Sequence, residues 1–164
     1  GLAPHQALDH ALTRNGYNQY RQVAVVDAQG RTAVFSGNHT LGTHNALAGE
    51  QCVAAGNLLA NTAVIERMVA AFESSEGCLA ARLLTALQAG QDAGGEAGAV
   101  HSAAVSVVGE LVWPIVDLRV DWADENPIGE LHKLWDAYEP QLQDYLTRAL
   151  NPTLAPSYGV PGDE

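Results

Sequence analysis

Gly56 and Asn57 stand at the end of a short apolar segment, just before a helical pattern begins. At such a junction, an asparagine amide and free backbone N–H groups can stabilise the negative oxygen that forms when an amide bond is attacked. The same pair is also typical of a plain turn, in which the asparagine side chain bonds to its own local backbone. The residues alone favour the turn, and Asn57 is kept as a candidate catalytic residue that contacts an oxyanion.

A second candidate set lies at the other end of the chain, where Asp117, Arg119 and Asp121 alternate along a predicted strand. A period of two places all three on one face of that strand. If the face is covered, an arginine between two carboxylates can orient a polar substrate or balance charge in an active site. If the face is open, the three residues form weak, solvated ion pairs. A metal site built from Asp121, Asp124 and Glu125 is a weaker alternative, because no EF-hand spacing supports it.

Histidines and one cysteine complete the candidates. His101 and Ser102 follow a glycine-rich loop, but adjacent residues of a strand point to opposite faces and so cannot form a catalytic pair. His39 and His44 fall in a predicted loop, where they can gate or bind a ligand, although lone loop histidines are usually solvated. Cys52 has no evident activating base, which favours a buried thiol. We therefore predict no metal and no cofactor.

Composition narrows the class of protein. The 164 residues carry 19 acidic and 8 basic side chains, a net charge of −11. Proteins bind nucleic acids largely by placing Lys and Arg against the phosphates, which releases the counterions of the nucleic acid. Eight dispersed basic residues can release few of them, and we therefore predict no nucleic-acid partner. No membrane span is present.

Cys52 and Cys78 have neither disulfide-scaffold nor zinc-site spacing. The compartment stays open, with a cytoplasmic location slightly favoured. GxSxG, GxxxxGK[ST], HExxH and GxGxxG motifs are absent.

These residues must be positioned by an α+β domain with mostly antiparallel sheet. Hydrophobic periodicity predicts a helix at 2–14, strands at 21–28, 31–36 and 51–56, helices at 61–74 and 78–91, strands at 101–109 and 115–122, and a helical pattern over 128–150. Residues 37–50 are predicted as a loop. Pro140 should kink or split the last helix, because proline lacks the N–H and clashes with the preceding turn. We expect one domain over 1–150 and an extended tail over 151–164.

Several segments, in this order along the chain, resemble the bacterial family catalogued as domain of unknown function 1028 (DUF1028). They are QVAVVD (22–27) with Gly30-Arg31, CVAAGNLLA (52–60), AAFE (70–73), LAARLL (79–84), AGQDAGGE (89–96), SAA (102–104), VDLRVD (116–121), Pro127-Ile128 and YGVPGDE (158–164). Together they span nearly the whole chain.

The resemblance implies the fold of the N-terminal-nucleophile (Ntn) hydrolases, an αββα sandwich of two stacked antiparallel sheets between helical layers. In such enzymes the free α-amine activates an N-terminal Thr, Ser or Cys, which attacks an amide. Family members begin with strands that precede the helix where this chain starts at Gly1. We therefore expect the N-terminal strands to be missing from this chain and the nucleophile to lie in an upstream segment of the same gene product. The family's reaction and substrate are unassigned.

Two functions follow as expectations. The first is hydrolysis of an amide bond in an unknown small substrate, with Asn57 as oxyanion contact and Asp117, Arg119 and Asp121 as orienting residues. The alternative is a non-catalytic, oligomeric binding protein that keeps the fold without the chemistry. The missing nucleophile favours the second function. The aromatic helix face of Trp135, Tyr138 and Tyr145 also favours it, because such a face can pack subunits as well as a core. In either case we expect a homo-oligomer.

Overall fold

A computed structural model of the chain describes residues 1–159. Its contacts divide into two compact units, Gly1–Val100 and the part of the chain from His101 onward. Strands in the described residues pair as three antiparallel hairpins, and helices accompany them in both units. The predicted α+β class with antiparallel sheet is confirmed. No helix in residues 1–159 is long and apolar enough to cross a membrane.

The first unit begins with helix α1 (Pro4–Thr13), a short 3-10 turn at Asn18–Tyr20, and a hairpin of β1 (Gln22–Val26) and β2 (Thr32–Ser36). The strands pair from Gln22↔Ser36 to Val26↔Thr32. Their turn forms around Asp27, whose Oδ1 accepts the N–H groups of Gln29 and Arg31, both at 2.9 Å. Because these bonds need only local residues, the sequence predicts this hairpin well.

The second hairpin corrects one prediction. Residues 45–49, expected in a loop, form strand β3 (Asn45–Gly49), which pairs with β4 (Cys52–Gly56). Between them, Gln51 adopts a left-handed φ of 58°. The strand is hard to detect because its centre is largely alanine, a poor strand former, and it has no alternating pattern. The predicted third strand at 51–56 is confirmed.

Helices α2 (Ala63–Ser74) and α3 (Leu79–Asp92) pack against each other, and α2 also packs on β3 and β4. A methyl group on Gly90 would lie 2.8 Å from Met68 Cγ, so glycine lets the two helices approach closely. The buried apolar residues of this unit are Leu8, Ala33, Leu59, Val64, Ile65, Val69, Phe72, Ala80, Leu84 and Ala86. The small side chains among them match the alanine-rich composition.

The second unit contains the hairpin of β5 (Ala103–Val107) and β6 (Val116–Val120), on which helix α4 (Pro127–Tyr138) packs. Asn126 caps α4 by accepting the N–H of Gly129 at 3.0 Å. A 3-10 turn at Glu139–Gln141 separates α4 from α5 (Leu142–Leu150), which confirms the predicted break at Pro140. In the predicted extended tail, Pro152–Leu154 form a short 3-10 turn. Residues 160–164 of that tail lie outside the described residues.

Candidate functional site

Three polar side chains from the first two hairpins form the Gln22–Ser36–His44 network. Gln22 and Ser36 are cross-strand partners on β1 and β2, so their side chains share one face of the hairpin. Gln22 Nε2 lies 3.1 Å from Ser36 Oγ, which lies 3.0 Å from Nδ1 of His44, the residue before β3. All three side chains are partly buried.

Gln22 also joins the two hairpins. Its Nε2 lies 3.0 Å from the carbonyl oxygen of Gly56 and 3.2 Å from that of Asn45. These two residues are themselves cross-strand partners on β4 and β3. Since an amide NH₂ carries only two hydrogens, it shares them among three acceptors, the two carbonyls and Ser36 Oγ. The network therefore fixes the end of β4, directly before Asn57.

The Ser36–His44 hydrogen bond has two directions open to it. Gln22 Nε2 can only donate, so the Ser36 oxygen accepts that bond. The same oxygen has a second lone pair, so Ser36 either donates its hydroxyl hydrogen to an unprotonated His44 Nδ1 or accepts a hydrogen from a protonated one. The tautomer of the His44 ring decides between the two.

Asn57 lies on a turn whose backbone is hydrogen-bonded to the segment before β3. The N–H of Leu58 donates to the carbonyl of Leu41 at 3.1 Å, and that of Leu59 donates to the carbonyl of Thr43 at 2.9 Å. Leu58 has a left-handed φ of 54°, a strained conformation for leucine. The Asn57 side chain is half-buried and makes no hydrogen bond with any described residue. The turn therefore forms without the local side-chain bond that a plain asparagine turn would use.

Asp117, Arg119 and Asp121 lie in the second unit, on a face of β6 and its end that is exposed in this chain. Arg119 Nε contacts Asp121 Oδ1 at 3.1 Å, and these side chains are 69% and 77% exposed. Solvent screens such a pair strongly, so it contributes little to stability. This arrangement corresponds to the open-face alternative, and a role in orienting substrate stays a prediction.

Near the same hairpin, His101 stacks on Trp122 with ring centroids 4.2 Å apart and planes 5° apart. Its Nδ1 lies 2.9 Å from the carbonyl oxygen of Ala123, so it is bound to the backbone of a loop. The Asp124 carboxylate accepts the Trp122 indole N–H at 3.1 Å. Within residues 1–159, no three His, Cys, Asp or Glu side chains are grouped in a way that could hold a metal ion.

A cleft of about 550 Å³ lies elsewhere in the first unit, between the two hairpin turns, α2 and the start of α3. Glu73 Oε1 accepts the N–H of Glu50 at 2.6 Å, and Arg82 lies 4.0 Å above the Phe72 ring. Burial raises the pKa of the nearby Cys52 thiol, and the negative charge of the Glu73 carboxylate raises that pKa further. Less thiolate therefore forms at a given pH. The prediction of a buried thiol is met only in part, because Cys52 is partly buried.

The family model described as "Family of unknown function (DUF1028)" matches residues 1–131. The chain belongs to the DUF1028 family. It is 32% identical to a DUF1028 protein from Silicibacter pomeroyi whose crystal structure is known, with a TM-score of 0.78. That match covers 88% of this chain and 62% of the Silicibacter pomeroyi chain. No curated protein matches at a significant level.

In this DUF1028 chain the sequence pattern selects Asn57 as a candidate, and its catalytic role stays a prediction, but the pattern does not point to the Gln22–Ser36–His44 network. Gln22 and Ser36 lie in predicted strands, and His44 lies in a predicted loop. The signal that could have found the pair Gln22 and Ser36 is the register of the first hairpin. Once the turn is centred on residues 27–31, these two residues must face each other. His44 offers no such signal, because it follows an irregular loop.

Proposed function

We propose that this chain is the supporting part of an Ntn-hydrolase-like αββα sandwich that hydrolyses an amide bond of an unknown substrate. In this proposal the nucleophile comes from a segment of the protein outside this chain, and Asn57 contacts the oxyanion. The observation that carries the proposal is the free carboxamide of Asn57 on a turn that other residues fix. A preorganised donor of this kind stabilises a developing negative charge without reorganising during the reaction.

Membership of DUF1028 supports the fold part of the proposal, together with the antiparallel hairpins of the first unit. The Gln22 amide adds to the rigidity of the site, since it binds the carbonyl of Gly56, one residue before Asn57. Asp117, Arg119 and Asp121 enter the proposal as orienting residues only where an assembly covers their exposed face. A covered arginine between two carboxylates would then bind a polar group of the substrate.

The test of this function begins with the full native protein. Sequencing its N-terminus identifies the residue that heads the chain, and a screen against acyl-amide and peptide libraries identifies a substrate. We expect a leading Thr, Ser or Cys. The hydrolase mechanism is refuted if the native protein begins at Gly1.

With a substrate in hand, Asn57→Ala should lower kcat by about 10²–10³ and leave the melting temperature unchanged. Asn61→Ala is the matched control. Asn61 donates to the carbonyl of Ala93 and accepts the N–H of Ala63, both at 2.9 Å, so its loss should lower stability and spare kcat. If Asn57→Ala behaves like Asn61→Ala, its role is to form the turn.

The second candidate is a non-catalytic, homo-oligomeric binding protein. An observation in the second unit favours it: Tyr145 is 46% exposed on a helix with no buried residue, and it stacks on Tyr138 with centroids 6.1 Å apart. Trp135, by contrast, is buried in the core of this unit and is not available to a partner. Sedimentation of native protein and of Tyr145→Glu tests this candidate. A wild-type oligomer that dissociates in the variant would support it, and a wild-type monomer would contradict it.

A further inference from the structure

We propose that Ser36 and His44 form a nucleophile–base pair that accepts an acyl group from activated esters. This activity is separate from the proposed amide hydrolysis, because both groups belong to this chain and neither requires a residue outside it. The geometry that carries the inference is the 3.0 Å contact between Ser36 Oγ and His44 Nδ1. That distance is within the range in which a histidine can remove a proton from a serine hydroxyl.

The proposed reaction uses the tautomer in which His44 Nδ1 carries no proton and accepts the hydrogen of the Ser36 hydroxyl. Gln22 Nε2 lies 3.1 Å from Ser36 Oγ and can only donate to it, so it leaves the hydroxyl hydrogen available to His44. Gln22 is in turn bound to two backbone carbonyls of the second hairpin. It therefore acts as a positioning residue for the Ser36 side chain.

The position of the pair also suits a reacting group. Ser36 ends strand β2, with its place set by the pairing with Gln22. His44 approaches from the segment before β3, so its ring and the hydroxyl come from different parts of the chain. Both residues are partly buried, so neither is fully enclosed by the described part of the chain.

The reaction balances with these two residues and water. Ser36 Oγ forms a bond to the ester carbonyl carbon while its proton passes to His44 Nδ1. The carbon–oxygen bond to the leaving alcohol then breaks, and His44 returns the proton to that alcohol. Water afterwards attacks the acyl-serine, with His44 again taking a proton, and restores the free hydroxyl.

The test uses the full native protein and a fluorophosphonate probe. With this probe Ser36 Oγ forms an O–P bond, the P–F bond breaks and fluoride leaves. Trypsin, which cuts after Arg31 and Arg67, releases a peptide of residues 32–67 in which Ser36 is the single serine. Mass spectrometry of that peptide therefore separates labelling at Ser36 from labelling of any nucleophile elsewhere in the protein.

We expect a stoichiometric adduct on the 32–67 peptide, which Ser36→Ala removes. His44→Gln should lower the labelling rate by about 10²–10⁴, because glutamine can accept the hydrogen bond but cannot take up the proton. Far-ultraviolet circular dichroism and thermal melting should show that both variants are folded. If either variant fails to fold, the rate of wild-type labelling at Ser36 is compared instead with that at Ser106, a strand serine with no hydrogen-bonded histidine among the described residues.

The proposal is overturned if Ser36 is not labelled, if His44→Gln is labelled as fast as the wild type, or if Ser106 is labelled as fast as Ser36. Hydrolysis of p-nitrophenyl acetate supplies a second readout. Its rate should fall in Ser36→Ala and stay unchanged in Ser106→Ala, whereas the amide hydrolysis proposed above depends on Asn57. The two proposals can therefore fail separately.

Discussion

Replacing Gln22 by methionine tests whether one side chain connects the two hairpins of the first unit. Methionine has a similar length and volume but no hydrogen to donate. The change removes the Nε2 donor that lies 3.0 Å from the Gly56 carbonyl, 3.2 Å from the Asn45 carbonyl and 3.1 Å from the Ser36 hydroxyl oxygen. The two amide hydrogens can make two full bonds at most. At about 0.5–1.5 kcal/mol each, their loss should lower the free energy of unfolding by about 1–3 kcal/mol.

Urea unfolding followed by circular dichroism measures this change. The midpoint should fall while the slope m stays constant, because the surface exposed on unfolding is nearly the same. Gln29→Met is the matched control. Gln29 lies exposed in the β1–β2 turn, and its side-chain oxygen makes only a long contact of 3.4 Å with Arg31, so we expect a change within about 0.5 kcal/mol. Equal effects of the two substitutions would refute the connecting role of Gln22.

Two further predictions concern the same unit. Gly37→Ala should destabilise the protein by about 1–3 kcal/mol, because the new methyl group would collide with the backbone of Gln19. Gly98→Ala is the control: its methyl group would have no atom within 4 Å, so the melting temperature should stay nearly unchanged. Desolvation acts to raise the pKa of Asp27, but the hydrogen bonds from Arg31 and Gln29, together with the Arg31 charge, outweigh it and hold this pKa below its ordinary value. The stabilisation from the Asp27 carboxylate is therefore present above the pKa of an unfolded aspartate and is lost as the pH falls through the lower folded value. Melting temperatures between pH 7 and pH 2 should show the wild type losing its advantage over Asp27→Asn at the acid end, and a constant difference would contradict this.

Local patterns in the sequence determined much of the scaffold. The Asp27 turn and the β-branched residues on either side of it predict the first hairpin, because the side-chain bonds that form the turn span only a few residues. Helices α2 and α3 follow from apolar side chains at helical spacing, and Pro140 breaks the last helix because it lacks an N–H. Asn57 could be chosen as a candidate for the same reason, since a strand end before a helix is visible in the order of the residues.

The tertiary structure alone decided which polar groups meet and which face of a strand is open. β3 forms because it pairs with β4, although its own alanine-rich sequence does not predict a strand. Ser36 and His44 are 8 residues apart and come together through an irregular loop, whose path no periodicity encodes. Likewise, period two places Asp117 and Arg119 on one face, but burial depends on what packs against that face. Sequence patterns report local geometry, whereas contacts between distant residues depend on the packing of whole elements.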